Sequence, residues 1–532
     1  MLQRYASAGL KIFIVIFTLV ISGNIIKANN YYVTAVSDTG LGSLRAAIDS
    51  ANANPGLDSI VLQLSVQDTI YLANRLPVVT DSLVITGLSC QNPSINGGLL
   101  PFAGAALIAS STTKPLTLNY LNFFNCLDTS ASAPGGAVNA HILYVNYCYL
   151  AGNEALANTG SGKGGAIYAN NLWINNSTFN ANTASSRSGT SGIGGAVYSP
   201  TLSTFYNCTF NFNYAALSGG AIASLKSVLS NCTIVNNSAG VKGGAYSSIS
   251  DSVSISNSII WSNTTPDSAA GTYFTSPVNS GGCNVLQVSN ANFNFITSSS
   301  DVMGVDPMLD TLGYFSGCVP VVPIFCGSIA QDHATCNGAT TSDAEGIAAV
   351  GPRDAGAFEI TLPVLGMDTI DSIQHGDSAD LMNYFNTTGL TFRWYGNFAD
   401  SSKVDTGTYT IIAFNYLGCA DTATVIIRYA TDTTSVDSTT GIRALSDDRF
   451  GITLFPNPAN TIVNVRLSKA TIGPFEVKIF DATGRVVMVQ NISGQPRYIN
   501  LNVSTIQDGL YYMQLKDGAG NYSCSALSII AR

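Results

Sequence analysis

The residues best suited to do chemistry are Asp128, Glu154 and Lys163. Two carboxylates with a lysine nearby are the equipment of a polysaccharide lyase or a glycoside hydrolase, where acids close together share acid, base or nucleophile duty. Asp128 and Glu154 stand 26 positions apart, and Lys163 follows shortly after. The supply of other groups is thin. Between residues 101 and 300 the only further acids are Asp251 and Asp267, and the only further bases are Lys114, Arg187, Lys226 and Lys242. His141, His333 and His375 fall in three separate regions, so neither a metal triad nor a Ser-His-Asp array is legible. Lys163 and Lys242 precede glycines, the reverse of a phosphate-binding loop, and no C-x-x-C occurs. These three residues are weak catalytic candidates, and no cofactor or metal site is expected.

The elements that would position them follow from an internal repeat. Cys148, Ser177, Cys208, Cys232 and Ser258 align at steps of 29, 31, 24 and 26 residues, each preceded by Asn-Tyr, Asn-Asn, Tyr-Asn or Ser-Asn. Two positions later stand Leu150, Phe179, Phe210, Ile234 and Ile260. Five positions after each anchor stands Asn153, Asn182, Asn213, Asn237 or Asn263. A Gly-Gly-Ala precedes each anchor, from Gly135, Gly164, Gly194, Gly219 and Gly243. Residues two apart share one face of a strand. An asparagine past a strand end tolerates a left-handed backbone and can bond its counterparts above and below. Units of this length cannot bury an apolar face alone, but stacking them does.

Neither a leucine-rich pattern nor a helical period is present, so the repeat predicts a parallel β-helix with coils about 4.8 Å apart. From Ile60 to Ile296 this gives about ten coils, a rod on the order of 50 Å long. If the period is one coil, Asp128 and Glu154 stack. Cys148, Cys208 and Cys232 share a column with serines and read as small core fillers. The segments from Glu154 to Lys163 and from Thr183 to Ile193 read as insertions, hence loops on one face where a solenoid binds.

Charged residues are only 10% of the 532, and the net charge is −9. That excludes a basic footprint for nucleic acid. Arg4, Lys11 and the apolar run Ile12 to Ile21, with a small residue at Ala28, predict a signal peptide over residues 1–28. Ten apolar residues are too few to span a bilayer, so the chain is not expected to be an integral membrane protein. An oxidising route permits disulfides, and Cys318, Cys326 and Cys336, crowded into one stretch, are the expected participants.

Three resemblances complete the reading. The sequence Gly42-Ser43-Leu44-Arg45-Ala46-Ala47-Ile48 reads as a short amphipathic helix capped by Ser43, within an N-terminal cap at 29–59. With Asp306-Pro307-Met308-Leu309, Gly327-Ser328-Ile329-Ala330 and Arg353-Asp354-Ala355-Gly356-Ala357-Phe358-Glu359, it resembles the secreted choice-of-anchor Q family. That resemblance implies an all-β chain whose residues 60–360 form a right-handed, pectin-lyase-like parallel β-helix, and says little of activity. Residues 361–429, with Phe392-Arg393-Trp394-Tyr395 and Asp405-Thr406-Gly407-Thr408-Tyr409, resemble an immunoglobulin-like β-sandwich in which Cys419 lacks a partner. A Thr-, Ser- and Asp-rich linker spans 430–448. Residues 449–532, with Pro456-Asn457-Pro458, Asp481-Ala482-Thr483-Gly484-Arg485 and Gly509-Leu510-Tyr511, resemble the type A sorting domain of type IX secretion cargo. The resemblance implies recognition by the type IX translocon and a secreted or outer-surface location on a Gram-negative bacterium. The expected function is a non-catalytic surface protein that adheres or binds a glycan or host-surface ligand. The alternatives are a carbohydrate-active enzyme and a structural surface-layer component.

Overall fold

The computed structural model describes residues 28–266, 278–287, 295–296, 298–430, 450, 452–467, 474–481, 485–493, 498–518 and 522–530. The segments expected to be signal peptide and linker fall almost wholly outside these, as does Gly484. The described chain is β-structure with one α-helix, Leu44–Asn52. It begins as a parallel solenoid with three walls. A 12-stranded sheet includes Val138–Asn146, Ile167–Asn175, Val197–Tyr206 and Ile222–Ser230. A 10-stranded sheet includes Tyr149–Ala151, Thr178–Asn180, Thr209–Asn211 and Thr233–Val235. A 6-stranded sheet includes Leu127–Asp128, Glu154–Ala157 and Thr183–Ser186.

The register is that of the repeat: Leu150 lies opposite Phe179, Phe179 opposite Phe210, Phe210 opposite Ile234 and Ile234 opposite Ile260. Those side chains fill the interior, where the rings of Phe179 and Phe210 stack 5.0 Å apart. The asparagine column is continuous. Asn153, Asn182, Asn213 and Asn237 each donate a side-chain N–H to the next Oδ1 at 2.9 Å. Each Oδ1 also accepts the backbone N–H of the asparagine one coil earlier, and each Nδ2 also donates to a backbone carbonyl one coil earlier, as Asn213 does to Phe179 at 3.0 Å. The backbone differs from expectation. The left-handed residue is the one before each ladder asparagine, namely Gly152, Ala181, Phe212, Asn236 and Ser262. A run of left-handed asparagines occupies a different corner, between the first two walls: Asn176, Asn207, Asn231 and Asn257. The Gly-Gly pairs do two jobs. Gly194 has φ +68°, and a Cβ on Gly195 would lie 2.0 Å from the Gly220 carbonyl oxygen of the next coil.

The N-terminal end is closed by the helix, whose Ser43 accepts the Ala46 N–H at 3.2 Å and whose Leu44, Ala47, Ile48 and Ala51 are buried. A strand, Asn30–Val33, precedes it and pairs with Asp58–Leu62, so the segment read as a cap also supplies the first rung. Two expectations need correction. The stretches after Asn153 and Asn182 are not simple loops: Glu154–Ala157 pairs in parallel with Thr183–Ser186, and Gly162–Lys163 with Gly192–Ile193, so they form wall. The three crowded cysteines pair, but with distant partners: Cys90–Cys318, Cys283–Cys336 and Cys326–Cys419.

Those disulfides fasten a strap. From about residue 306 to 360 the chain runs back along the corner of left-handed asparagines. Asn92 donates to the Cys318 carbonyl at 2.9 Å, Thr178 to Pro320 at 2.6 Å, and Asn207 to Ser342 at 2.9 Å. Further along, Thr340 N–H donates to Asn231 Oδ1 at 3.0 Å and Cys336 N–H to Asn257 Oδ1 at 3.2 Å. The strap closes on a buried ion pair, Arg353 to Glu359 at 2.7 Å, with both Asp354 oxygens accepting backbone N–H groups at 2.7 Å.

Beyond the strap, residues 361–429 form one four-stranded sheet rather than a two-sheet sandwich. Trp394 sits on a mostly exposed edge strand, half-buried at the margin of the core with its ring centroid 5.8 Å from that of Phe385. Tyr409 nevertheless donates to the Asp405 carbonyl at 2.8 Å, the bond of a tyrosine corner, and Cys419 finds its partner in the strap. Residues 452–530 fold into two antiparallel sheets of three and four strands around one apolar core. Among the described residues no helix is long and apolar enough to cross a membrane.

Two predictions follow from this packing. Asn213→Ala strips three partners at once and leaves buried N–H groups of Asn182 unsatisfied, so it should cost about 3 kcal/mol or more, read as lowered thermal stability with faster amide exchange at Asn182. In the strap, burial and then Glu359 push the Asp354 carboxyl up to about 8, burial and Glu359 push Asp332 to about 6, and burial pushes Asp343 to about 6. Stability carried by such raised groups is complete below about pH 4 and is lost as pH rises through 6 to 8. Corrected hydrogen exchange over residues 330–360 should therefore be faster at pH 8.5 than at pH 5.5.

Candidate functional site

Strand alternation puts every second residue of the 12-stranded wall outside, where polar side chains are the ordinary occupants. In the coils from Val138 to Tyr206 several of the outer positions are instead aromatic, among them Tyr144, Tyr168, Trp173 and Tyr198. One outward column runs Asn139, Tyr168, Tyr198 and Ala223, and another Thr117, Tyr144, Trp173, Thr204 and Val228. Tyr168 and Tyr198 stack with centroids 5.4 Å apart, and Tyr144 and Trp173 with centroids 4.9 Å apart. These rings are partly or openly exposed, in contrast to the Phe179 and Phe210 pair within the core.

Amides flank the rings. Two residues beyond Tyr144 and Trp173, on the same face, Asn175 donates to Asn146 at 3.0 Å and Asn146 to Asn119 at 2.8 Å. Among the described residues this outer ladder leaves the side-chain N–H groups of Asn119 and the side-chain carbonyl of Asn175 without a partner. Asn139, Asn170 and His141 line a shallow depression of about 200 Å³ beside the lower coils. The strand Val197–Tyr206 carries one extra residue against Ile167–Asn175, a bulge lying between the two outward columns. Lys163 lies at the corner of the same wall, its Nζ 5.7 Å from the Tyr198 ring centroid. Burial, helped for Tyr168 by its neighbour Tyr198, pushes both stacked phenols above their ordinary value, so they are neutral hydrogen-bonding groups across the physiological range. The surface thus offers flat apolar faces with amide, phenol and ammonium groups at their margins.

The residues singled out from the sequence are distributed differently. Asp128 lies opposite Ala155 and Leu127 opposite Glu154, so the two carboxylates do not stack. Because adjacent residues of a strand face opposite ways, Asp128 points inward, fully buried, while Glu154 points outward toward the Ser185 hydroxyl at 3.4 Å. Burial raises the Asp128 carboxyl, whose Oδ1 accepts the Ser130 N–H at 2.7 Å and the Gly104 N–H at 3.1 Å. Lys163 joins the aromatic face rather than either acid. Among the described residues no group of three His, Cys, Asp or Glu side chains is placed to hold a metal. The aromatic columns are not evident from the repeat columns, although the outward position two residues after three successive Gly-Gly-Ala triplets carries Asn139, Tyr168 and Tyr198, which alternation alone could have exposed.

Cys148, Cys208 and Cys232 line the core, with Cys126 one coil before them, and burial pushes Cys126 and Cys148 up to about 12. A native sample at pH 8 should accordingly take up iodoacetamide at Cys524 alone, rising to five thiols after denaturation without reductant.

In the C-terminal unit, Asn457 accepts the Ser528 N–H at 2.7 Å and donates to the Ala526 carbonyl at 3.0 Å, so the Pro456-Asn457-Pro458 turn is sewn to the last strand, Tyr522–Ile529. Asp481 accepts the Arg485 N–H at 3.0 Å across the hairpin, and Tyr511 donates to the Gln507 carbonyl at 2.7 Å just before Gly509–Asp517 rises through the sheet. Residues 453–528 match the family described as the secretion system C-terminal sorting domain. No curated protein matches the chain. Among solved structures, the dimeric latent PorU from Porphyromonas gingivalis aligns at 16% identity over 26% of this chain and 14% of its own length, with a TM-score of 0.13, an overlap too small to bear on the fold. The chain therefore consists of a parallel β-solenoid and following β-modules that end in a type IX secretion sorting domain, and it is a secreted or cell-surface protein.

Proposed function

We propose that this exported protein is a non-catalytic surface rod that binds a glycan on the outer face of its largest sheet. The observation that carries the reading is the pair of ring stacks, Tyr144 on Trp173 and Tyr168 on Tyr198, set outside a wall whose alternation calls for polar residues. Sugar rings present apolar C–H faces and a rim of hydroxyls. Flat aromatic faces accept the first, and the asparagine amides and phenols beside them accept the second. Exposed aromatics that need no further partner for stability are a recurrent mark of recognition surfaces.

Within this proposal, residues 361–429 serve as a spacer between solenoid and sorting domain, with a tyrosine corner in immunoglobulin style, and the whole solenoid is of the choice-of-anchor Q kind. The sorting domain brings the chain to the translocon, and the rod is what remains for adhesion. The opposed directions of Asp128 and Glu154 argue against a lyase or hydrolase built on them.

Affinity electrophoresis in gels containing soluble polysaccharides tests the proposal. Trp173→Ala and Tyr198→Ala should each weaken retardation about tenfold, the effect of losing one central aromatic contact. Tyr71→Ala, at an exposed aromatic on a different wall, should leave it unchanged. Equal retardation of all four proteins would refute the assignment of the strip.

A further inference from the structure

We infer that the glycan taken by this strip is an acidic polysaccharide, lying along the strands with its anionic groups against Lys163, Lys226 and Lys242; this rests on the glycan-binding proposal and adds the charge of the ligand. The chain as a whole is acidic, with a net charge of −9, yet residues 101–250 hold five lysines and arginines against two carboxylates. Neither carboxylate faces the strip, because Asp128 is buried and Glu154 stands on the 6-stranded wall. Of the five bases, Lys114 is paired with Asp81 at 2.8 Å, and Arg187 bonds Asn158.

The three remaining lysines have no ion-pair partner among the described residues, and each belongs to the strip. Lys163 holds its ammonium over the Tyr198 ring. Lys242 occupies the same corner column, reached through Ile193 and Ser218. Lys226 is exposed, lies opposite Leu202 in the 12-stranded wall, and stands two residues before exposed Val228, which continues the Trp173 column. Alternation therefore puts Lys226 on the same outer face as the rings.

The dimensions suit an extended chain. From Tyr168 to Asn175 the strand advances about 23 Å, room for roughly four or five sugar rings. The lysine corner column spans about 14 Å over three coil spacings. At ordinary ionic strength, where screening acts over about 10 Å, each ammonium is felt by a carboxylate or sulfate within the strip but scarcely beyond it.

The test uses the full chain and two polymers that share a β-1,4-glucan backbone, carboxymethylcellulose and the neutral hydroxyethylcellulose, with alginate and heparin as further anionic polymers, laminarin and dextran as further neutral ones, and a single-stranded oligonucleotide. The expected result is that anionic polymers bind about tenfold or more tightly than neutral ones, that raising NaCl from 50 to 500 mM removes the difference, and that K163Q/K226Q removes it too. Both substitutions keep a long polar side chain and should leave thermal unfolding unchanged. Equal, salt-insensitive binding of neutral and anionic polymers overturns the acidic ligand while leaving the glycan proposal standing. Failure of every polysaccharide to bind overturns both. Binding of the oligonucleotide as tightly as the best anionic glycan overturns the inference in favour of a general polyanion surface.

Discussion

The structure depends on parallel strands stacking in register, because that single constraint forces identical positions of successive coils onto one another. Once it holds, a buried asparagine is no liability. The Oδ1 of Asn213 meets two N–H groups of Asn182, and its Nδ2 meets Asn237 and the Phe179 carbonyl. A lone buried amide leaves hydrogen-bonding groups unmet at a cost of about 1–3 kcal/mol each, while the ladder meets them all and binds coil to coil. The same vertical order explains the glycine pairs, since backbone of one coil lies where a Cβ of the next would be. It also explains the external rings: a register that stacks Phe179 on Phe210 inside must stack Tyr168 on Tyr198 outside.

Much of this was legible from residue columns. The positions of Leu150, Phe179, Phe210 and Ile234 announce the second wall because apolar residues at a fixed phase have no other way to be buried together. What the columns lacked was the direction of the bends. The left-handed residue lies before the ladder asparagine, not on it, and Phe212 or Ala181 at that place gives no compositional hint. The segments Glu154 to Lys163 and Thr183 to Ile193 looked like insertions because only two coils carry them at full length, yet two coils of equal length suffice to pair. The expected stacking of Asp128 on Glu154 is absent for a reason of phase: the two differ by one residue from a true register match, and one residue reverses a strand side chain.

Long-range covalent and polar contacts were beyond the reach of spacing. Cys90 and Cys318 are 228 residues apart, and nothing local in either sequence tells of the other. Cys326 reaches across to Cys419, so the last part of the solenoid and the next module are chemically one body. Each bridge closes a loop long enough to remove about 4–5.5 kcal/mol of unfolded-chain entropy on a simple loop-closure picture. The strap also supplies what an open stack requires, partners for a corner whose left-handed asparagines aim their amides outward.

That return path sets the size of the molecule. Solenoids commonly gain or lose repeats with little penalty, since each unit senses only its neighbours. Here a single segment is bolted near one end through Cys90 and near the other through Cys283, with Asn207 and Asn231 gripped between. Duplicating a coil would displace one set of attachments from the other by about 4.8 Å. The segment works as a ruler: repeat number and strap length have to change together, so this rod cannot be lengthened one unit at a time.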